Sequence, residues 1–257
     1  MYENRSGKIG HATDLEVPGA SVDPETLWSA RPDRRHQRGR PPAHTREAVV
    51  ARAVGIADEE GLSAVTMRRV ATALGTGTMS LYTYVSERDA LLELMIDAVT
   101  GEQELPPATG DWRADLSAFA RAQRALMRRH PWLPAALTGR RTLGPNTLKA
   151  LDHALGLLAP TGLSPQARLE SFALVSGFVA SHVGYEVAQQ APGGADTAGS
   201  AEKAKQFAES NARYMAKTVA SGAYPHLAEA MAASGEPIPE PDVTFERLLA
   251  RVINGLM

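Results

Sequence analysis

Apolar residues recur at every third or fourth position along almost the whole chain after residue 44, with polar and charged residues between them. This spacing puts the apolar side chains on one face of an α-helix, whereas a half-buried strand needs strict alternation. No run alternates long enough to predict a strand. The pattern therefore predicts an all-α protein.

Helix start and stop signals divide the first part of this pattern into four helices. A threonine suited to cap a helix start precedes each of the first two, and a glycine suited to end a helix follows each. The predicted helices cover residues 45–61, 66–74, 78–84 and 86–101. We expect the fourth to open on a capping box formed by Ser86 and Asp89.

The Pro- and Gly-containing stretch ELPPATG, residues 104–110, interrupts the helical pattern and is the best domain boundary. Further helices are predicted over residues 111–130, 131–138, 145–158, 164–190, 201–221, 225–233 and 245–257. Before residue 43 no periodicity is sustained, although one short helical turn is possible at 23–28. We therefore predict a flexible basic arm (1–42) and two helical domains (43–101 and 102–257).

Composition narrows the possible functions. The 257 residues include no cysteine, which excludes disulfides, thiol catalysis and cysteine metal sites. No apolar run reaches the roughly 18 residues of a membrane span, and no signal peptide is recognisable, so we expect a cytoplasmic protein. The net charge is only −2, so any attraction to nucleic acid must come from local clusters of basic residues.

The spacing of the second and third predicted helices is typical of a helix-turn-helix. A short helix ends at Gly75, and three residues later another begins. In such a unit the first helix braces the second, whose outward face can enter a DNA major groove. The second helix has the side chains for this task, since hydroxyls and a thioether can contact phosphates and base edges. Its outward-facing candidates are Thr78, Met79, Ser80, Tyr82, Thr83 and Tyr84.

Turn spacing alone leaves a second interpretation open, namely a helical hairpin inside an all-α core. The longer stretch EEGLSAVTMRRVATALGTGTMSLYTYVSERDALLELM, residues 59–95, resembles the N-terminal domain of the TetR (tetracycline repressor) family of transcriptional regulators. The end of the first helix, the bracing helix, the turn, the recognition helix and the start of the fourth helix all coincide in register. More weakly, residues 110–133 and the last helix are similar to an actinobacterial subgroup of that family.

The resemblance implies roles for individual residues in this stretch. Arg68 occupies the position on the bracing helix that can read a base edge, and Thr66 the position where a hydroxyl meets phosphate. Thr78, Met79 and Ser80 form the leading turn of the recognition helix. Phosphate contacts are implied for Tyr82 and Arg88. Tyr84 stands where many relatives carry histidine.

The arm before the first helix is the most basic part of the chain, with six arginines and one acid between residues 31 and 46. Its RGRP segment matches the core of an AT-hook, in which an extended Arg-Gly-Arg follows a narrow minor groove. As an isolated match this is weak, and a solvated tail is the alternative. Because the arm directly precedes a helix-turn-helix, we expect Arg38 and Arg40 to contact DNA.

Residues 105–257 contain no catalytic signature and no phosphate-binding loop, so we expect no enzyme and no cofactor. His182 and Glu186, four apart on one helix, could supply half a metal site, but zinc needs three or four ligands, and we expect no metal. The family resemblance implies a hollow core that binds a small apolar inducer. The candidate ligand contacts are Trp112, Phe119, Met127, Phe172 and His182.

The resemblance also implies a homodimer, formed through Ser164–Gln190 and Phe245–Met257, that binds a palindromic operator in double-stranded DNA. The leading prediction is thus a repressor that a small molecule releases from its operator. Two alternatives remain, an all-α enzyme or carrier with no DNA role, and an architectural DNA-binding protein driven by the basic arm.

Overall fold

A computed structural model describes residues 22–28, 44–140, 142–190, 198–233 and 240–257. Within these ranges the regular structure is entirely helical. The all-α prediction is therefore confirmed. Arg38 and Arg40, the arm residues predicted to contact DNA, lie outside the described residues.

The N-terminal unit consists of four helices preceded by one short helix. The helices are α1 (Pro24–Trp28), α2 (Arg46–Glu60), α3 (Met67–Ala73), α4 (Thr78–Leu81) and α5 (Arg88–Thr100). The two threonine caps form as predicted, because Thr45 accepts a hydrogen bond from the Ala48 amide and Thr66 from the Arg69 amide. Leu27 of α1 is buried in the same core, and the Arg46 side chain donates to its carbonyl oxygen at 2.9 Å.

Seven α-helices lie in the described part of the C-terminal unit, and the longest is α9. The helices are α6 (Trp112–Arg129), α7 (Leu133–Leu137), α8 (Pro145–Leu157), α9 (Pro165–Gln190), α10 (Ala198–Ala220), α11 (Pro225–Ala233) and α12 (Pro241–Asn254). Helix α9 packs against α6, α7, α8 and α12, and α10 packs mainly on α11. The helices α6, α8, α9 and α12 therefore form the body of this unit.

Several helix boundaries differ from the sequence prediction, and α10 begins at Ala198, three residues before its predicted start. Helix α4 ends at Leu81, and residues 82–84 continue as turns. Helix α5 begins at Arg88 because Glu87 is fully extended, so the predicted capping box of Ser86 and Asp89 does not form. Helix α12 begins at Pro241, four residues before the predicted start, since proline is well tolerated in the first turn of a helix.

One buried apolar cluster runs through both units. In the N-terminal unit its fully buried members include Ile56, Leu81 and Met95. Helix α5 carries the cluster onward, because it packs against α2 on one side and against α7 and α8 on the other. The N-terminal helices therefore rest on the body through α5.

A buried carboxylate fastens α5 to the start of α8. Asp97 accepts hydrogen bonds from the Thr147 amide at 2.9 Å, the Thr147 hydroxyl at 3.1 Å and the Asn146 side chain at 3.1 Å. Gly144 makes this approach possible, since a Cβ there would lie 2.1 Å from Asp97 Oδ1. Two helices far apart in sequence are thus joined by ionic hydrogen bonds.

Candidate DNA-binding surface and ligand cavity

Helix α3 ends in a tight turn that depends on glycine. Gly75 has φ +66°, a left-handed conformation that strains other residues. The Thr76 amide donates to Ala71 and the Gly75 amide to Thr72, which closes the turn as a Schellman motif. Below the turn, Leu81 is fully buried, and this anchors α4 on α3 with its other face outward.

The outward face of α3 and α4 carries most of the predicted DNA contacts. The exposed or half-exposed members, which together we name the reading surface, are Thr66, Arg68, Thr78, Met79, Ser80, Tyr82 and Thr83. Met79 is 80% exposed and Tyr82 45% exposed, so solvent reaches both side chains. Hydroxyls, a thioether, a phenol and a cation therefore lie on one accessible face.

Arg68 projects from this face, and no hydrogen bond or ion pair holds its side chain among the described residues. Its neighbour Arg69 is instead paired with Glu60 of α2. The Glu60 carboxylate accepts hydrogen bonds from this guanidinium, which lowers the pKa of Glu60 below its ordinary value. The cation available for a base edge is therefore Arg68.

Two residues predicted to contact DNA also make contacts within the fold that the sequence did not indicate. The Arg88 guanidinium donates to the carbonyl oxygens of Val65 at 2.9 Å and Leu62 at 3.3 Å, directly before α3. Tyr84 is only half exposed and packs against the core. Arg88 therefore helps to hold the approach to α3, while its side chain stays exposed.

A cavity of about 690 Å³ opens in the C-terminal unit, between α6, α7, α8 and α9. Its size suits a small organic ligand. The predicted contacts Phe119, Met127 and Phe172 line it, with the two phenylalanine rings 6.3 Å apart. Further apolar walls come from α7 and α8, including Leu133 and Leu151.

Trp112 and His182, the other two predicted ligand contacts, are not among the residues that line the cavity. Trp112 opens α6 and is buried in the main core, with the Arg113 guanidinium 4.2 Å from its ring centroid. His182 lies against Phe178 and Phe245, 5.6 and 5.3 Å between ring centroids. Helix α9 turns its residues 176, 180 and 184 to the cavity, so 182 falls on the adjacent face toward α12.

The cavity wall also presents polar groups without partners. Gln103 Nε2 and Gln123 Oε1 are buried and make no hydrogen bond among the described residues. The Gln123 Nε2 group donates to Ser176 Oγ at 3.3 Å. A buried, unpaired amide atom costs roughly 1–3 kcal/mol, so a ligand with complementary donors and acceptors would recover that free energy.

Sequence reasoning missed Gln103 and Gln123, although one of them had a signal. Gln123 is four residues from both Phe119 and Met127, so it interrupts the apolar stripe of α6 at a core-facing position. Gln103 lies in the irregular segment after α5, where no periodicity indicates the inward direction.

A second set of polar contacts ties the end of α6 to the N-terminal unit. Asp58 of α2 accepts from Trp132 Nε1 at 2.7 Å and lies 2.8 Å from His130 Nδ1. On its other side, His130 Nε2 lies 3.2 Å from Glu102 Oε2. The segment between α6 and α7, next to the cavity wall, is therefore bonded to α2.

A buried ionic network holds α6, α9 and α12 together. Arg124 lies 2.5 Å from Glu186 and 4.1 Å from the centre of the Phe245 ring. Arg128 also pairs with Glu186, at 3.0 Å, and with Asp242 at 2.9 Å. Burial alone would raise the pKa of Glu186, but the hydrogen bonds from both arginines outweigh it and lower that pKa. Both carboxylate oxygens of Glu186 are thus paired with arginines of α6.

Two negative findings apply to the part of the chain that the structure describes. None of its helices is both long enough and apolar enough to cross a membrane. Its histidine and carboxylate side chains nowhere gather in a group of three or more that could hold a metal ion.

The amino-acid sequence is similar to those of known proteins. A family model described as the tetracyclin repressor-like C-terminal domain matches residues 105–257. The HTH-type transcriptional repressor DrrR1 of Streptomyces coeruleorubidus is 38% identical, over 98% of this chain and 92% of its own length.

Solved structures of the TetR family protein ActR from Streptomyces coelicolor have a similar fold. The apo form is 30% identical and covers 85% of this chain and 96% of its own, with a TM-score of 0.68. The complex with actinorhodin is 31% identical, covers 83% and 95%, and has the same TM-score. The family model matches more than half of the chain, and DrrR1 matches nearly all of it. The chain belongs to the TetR family of transcriptional regulators.

Proposed function

We propose that this protein is a homodimeric repressor that binds a palindromic operator through its reading surface and leaves it when a small molecule fills the cavity. The observation that carries the proposal is the position of α5. This helix begins beside the helix-turn-helix and ends beside the cavity, and it is bonded to both. DrrR1 is named as a repressor, and ActR structures contain actinorhodin or (S)-DNPA, which supports both halves of the proposal.

The domain division proposed with this function places an arm at 1–42, the DNA-binding domain at 43–101 and the ligand-binding and dimerisation domain at 102–257. The family model begins at residue 105, close to the second boundary. Two recognition helices, one from each subunit, would enter successive major grooves about one helical turn apart. The arm residues Arg38 and Arg40 would follow the minor groove on either side.

The dimer is proposed to form through α9 and α12. One face of α12 is fully buried in its own subunit, with Phe245, Leu249 and Ile253 facing inward. The outward face of α9 leaves large apolar side chains exposed, Leu174 at 61% and Tyr185 at 66%, and Val243 at the start of α12 is 58% exposed. A second copy of this chain would cover them, since exposed apolar patches usually mark interaction sites.

A footprint on the DNA upstream of the protein's own gene tests the proposal. We expect protection of two major-groove segments about one helical turn apart at low salt, with a dimer confirmed by ultracentrifugation. Absence of any protection by a folded dimer would contradict DNA binding at this site. Protection of a single segment would contradict the two-fold arrangement.

A further inference from the structure

The cavity wall contains one guanidinium group that also holds the DNA-side helix. Arg140, in the segment between α7 and α8, lines the cavity. Its Nη2 donates to Asp89 Oδ1 at 2.9 Å, and its Nη1 lies 3.6 Å from Glu93 Oε1. Asp89 and Glu93 belong to the first turns of α5, so Arg140 touches both the ligand space and the start of that helix.

The charged group in the described part of the cavity wall is a cation. Among the described residues that line it, Arg140 alone is charged, and the rest are apolar, hydroxyl or amide side chains. Asp89 and Glu93 approach Arg140 from the α5 side and are not themselves part of the wall. A guanidinium has five N–H donors, so donors remain for a ligand oxygen.

The start of α5 is in turn bonded to the reading surface. Arg88, the neighbour of Asp89, donates to Val65 and Leu62, and Val65 immediately precedes Thr66, the cap of α3. A change in the position of residues 88–89 therefore acts directly on the helix that carries Arg68. The covalent and hydrogen-bonded path from the cavity to α3 passes through Arg140, Asp89 and Arg88.

We propose that the ligand carries an acidic oxygen group, and that Arg140 binds this group in exchange for its contact with Asp89, which removes one link between the cavity wall and the start of α5. The proposal rests on the ligand-responsive function proposed above and names the class of ligand, an aromatic or polycyclic acid. The aromatic part would lie against Phe119 and Phe172, whose rings line the same space.

The exchange is energetically accessible. The Asp89 side chain is 37% exposed, and such partly exposed pairs contribute little, so Arg140 can leave Asp89 at a small cost in free energy. Glu93 is more buried, and burial raises its pKa above the ordinary value, although Arg140 opposes that rise. When Arg140 turns to the ligand, Glu93 can take up a proton rather than remain a buried, unpaired charge.

A matched pair of probes tests this inference. Anthraquinone-2-carboxylate and anthraquinone-2-carboxamide have the same ring system and differ in charge. By equilibrium dialysis we expect wild type to bind the carboxylate about tenfold more tightly, because hydrogen bonds to charged groups are the stronger class. We expect Arg140→Gln to bind the two equally, and Lys149→Gln, which removes an exposed charge from α8, to keep the preference.

The operator complex supplies the second measurement. The carboxylate should weaken the gel shift of wild type and leave that of Arg140→Gln unchanged. Asp89→Asn, which removes one of the two carboxylates paired with Arg140 and leaves Arg140 unaltered, should bind the carboxylate several-fold more tightly than wild type does. This variant keeps the inference testable if Arg140→Gln does not fold, which circular dichroism would reveal.

Several results would overturn the inference. These are equal binding of the two probes by wild type, a preference that survives in Arg140→Gln, and tight carboxylate binding with no change in the gel shift. Failure of the carboxylate to bind would also overturn it. In each case a gel shift without probe would still support DNA binding, so the two proposals fail separately.

Discussion

Arg68 of α3 extends into solvent beside the hydroxyls of α4, whereas Arg124 of α6 is buried against Phe245 and pairs with Glu186. In the N-terminal unit the ion pair Arg69–Glu60 is about one-third exposed, while the Arg124 and Glu186 side chains are 8% and 9% exposed. The difference shows how the same residue type serves two purposes. The N–H donors of a solvated guanidinium remain available to a binding partner. Those of a buried guanidinium are used in contacts within the protein.

The largest expected effect is on the buried side of this comparison. Glu186→Gln should lower the free energy of unfolding by about 3 kcal/mol at neutral pH, because it removes the buried counter-charge of Arg124 and leaves only the exposed carboxylate of Asp242 beside it. Urea denaturation measures the change. Leu148→Gln, a substitution at an exposed position of α8, is the control and should have little effect.

The same variant tests how the stabilisation by Glu186 depends on pH. Glu186 has a pKa below its ordinary value in the folded protein, so its stabilisation is fully present above the unfolded-state pKa. The stabilisation is lost as pH falls through the folded-state pKa. The difference between wild type and Glu186→Gln should therefore shrink below about pH 4.5. If the difference in the free energy of unfolding stayed constant down to acid pH, the charge of Glu186 would not be the source of the stabilisation.

A smaller effect, with the opposite sign, is expected at the cavity wall. Gln103→Leu removes a buried amide with an unpaired nitrogen and keeps a similar volume. We expect the variant without ligand to be about 1 kcal/mol more stable than wild type, because a polar group that lacks a partner costs free energy when buried. Thermal unfolding measures this, with the exposed Gln166→Leu on α9 as control. Lower stability would show that Gln103 is satisfied in solution.

The smallest effect on stability is expected at the exposed pair of the N-terminal unit. Glu60→Gln should leave the melting temperature within the scatter of the measurement, because water screens an ion pair with both partners this exposed. A clear loss of stability would contradict the contrast between the two units.

The role of the basic arm in DNA binding is tested better by point substitutions than by a deletion. Removing residues 1–42 would also remove Leu27, which is buried in the core, and its bond to Arg46. We expect the double variant Arg38→Ala and Arg40→Ala to keep its operator specificity, with weaker binding that depends less steeply on salt. Affinity measured between low and moderate salt gives the slope. An unchanged slope would favour the solvated-tail interpretation.

Local signals in the sequence predicted the N-terminal unit well. The caps at Thr45 and Thr66 and the turn at Gly75 depend on residues a few positions apart, so they can be read directly from the chain. The cavity depends on contacts across long stretches of sequence. Arg140 meets Asp89 from 51 positions away, and Thr147 meets Asp97 from 50, distances at which no periodic pattern carries information.

Long-range contacts also add partners that the linear pattern does not indicate. Arg88 and Tyr84 occupy positions that suit DNA contact in the linear pattern, and Arg88 also bonds carbonyl oxygens 23 and 26 residues earlier. His182 has the chemistry of a ligand contact, but the packing of α9 on α12 places it beside Phe245 and not among the residues that line the cavity. Helical periodicity identifies a buried face, but it does not say which neighbour covers that face.

The affinity of the upstream DNA for wild type and Arg68→Ala, measured by fluorescence anisotropy with Lys149→Ala as control, tests the central claim most directly. Both substitutions remove one exposed positive charge, but only Arg68 lies on the reading surface. We predict that Arg68→Ala loses about 1–3 kcal/mol of operator binding and tolerates base changes beneath α3, while its unfolding is unchanged. Equal affinity of the two variants for the operator would contradict the assignment of this surface to DNA.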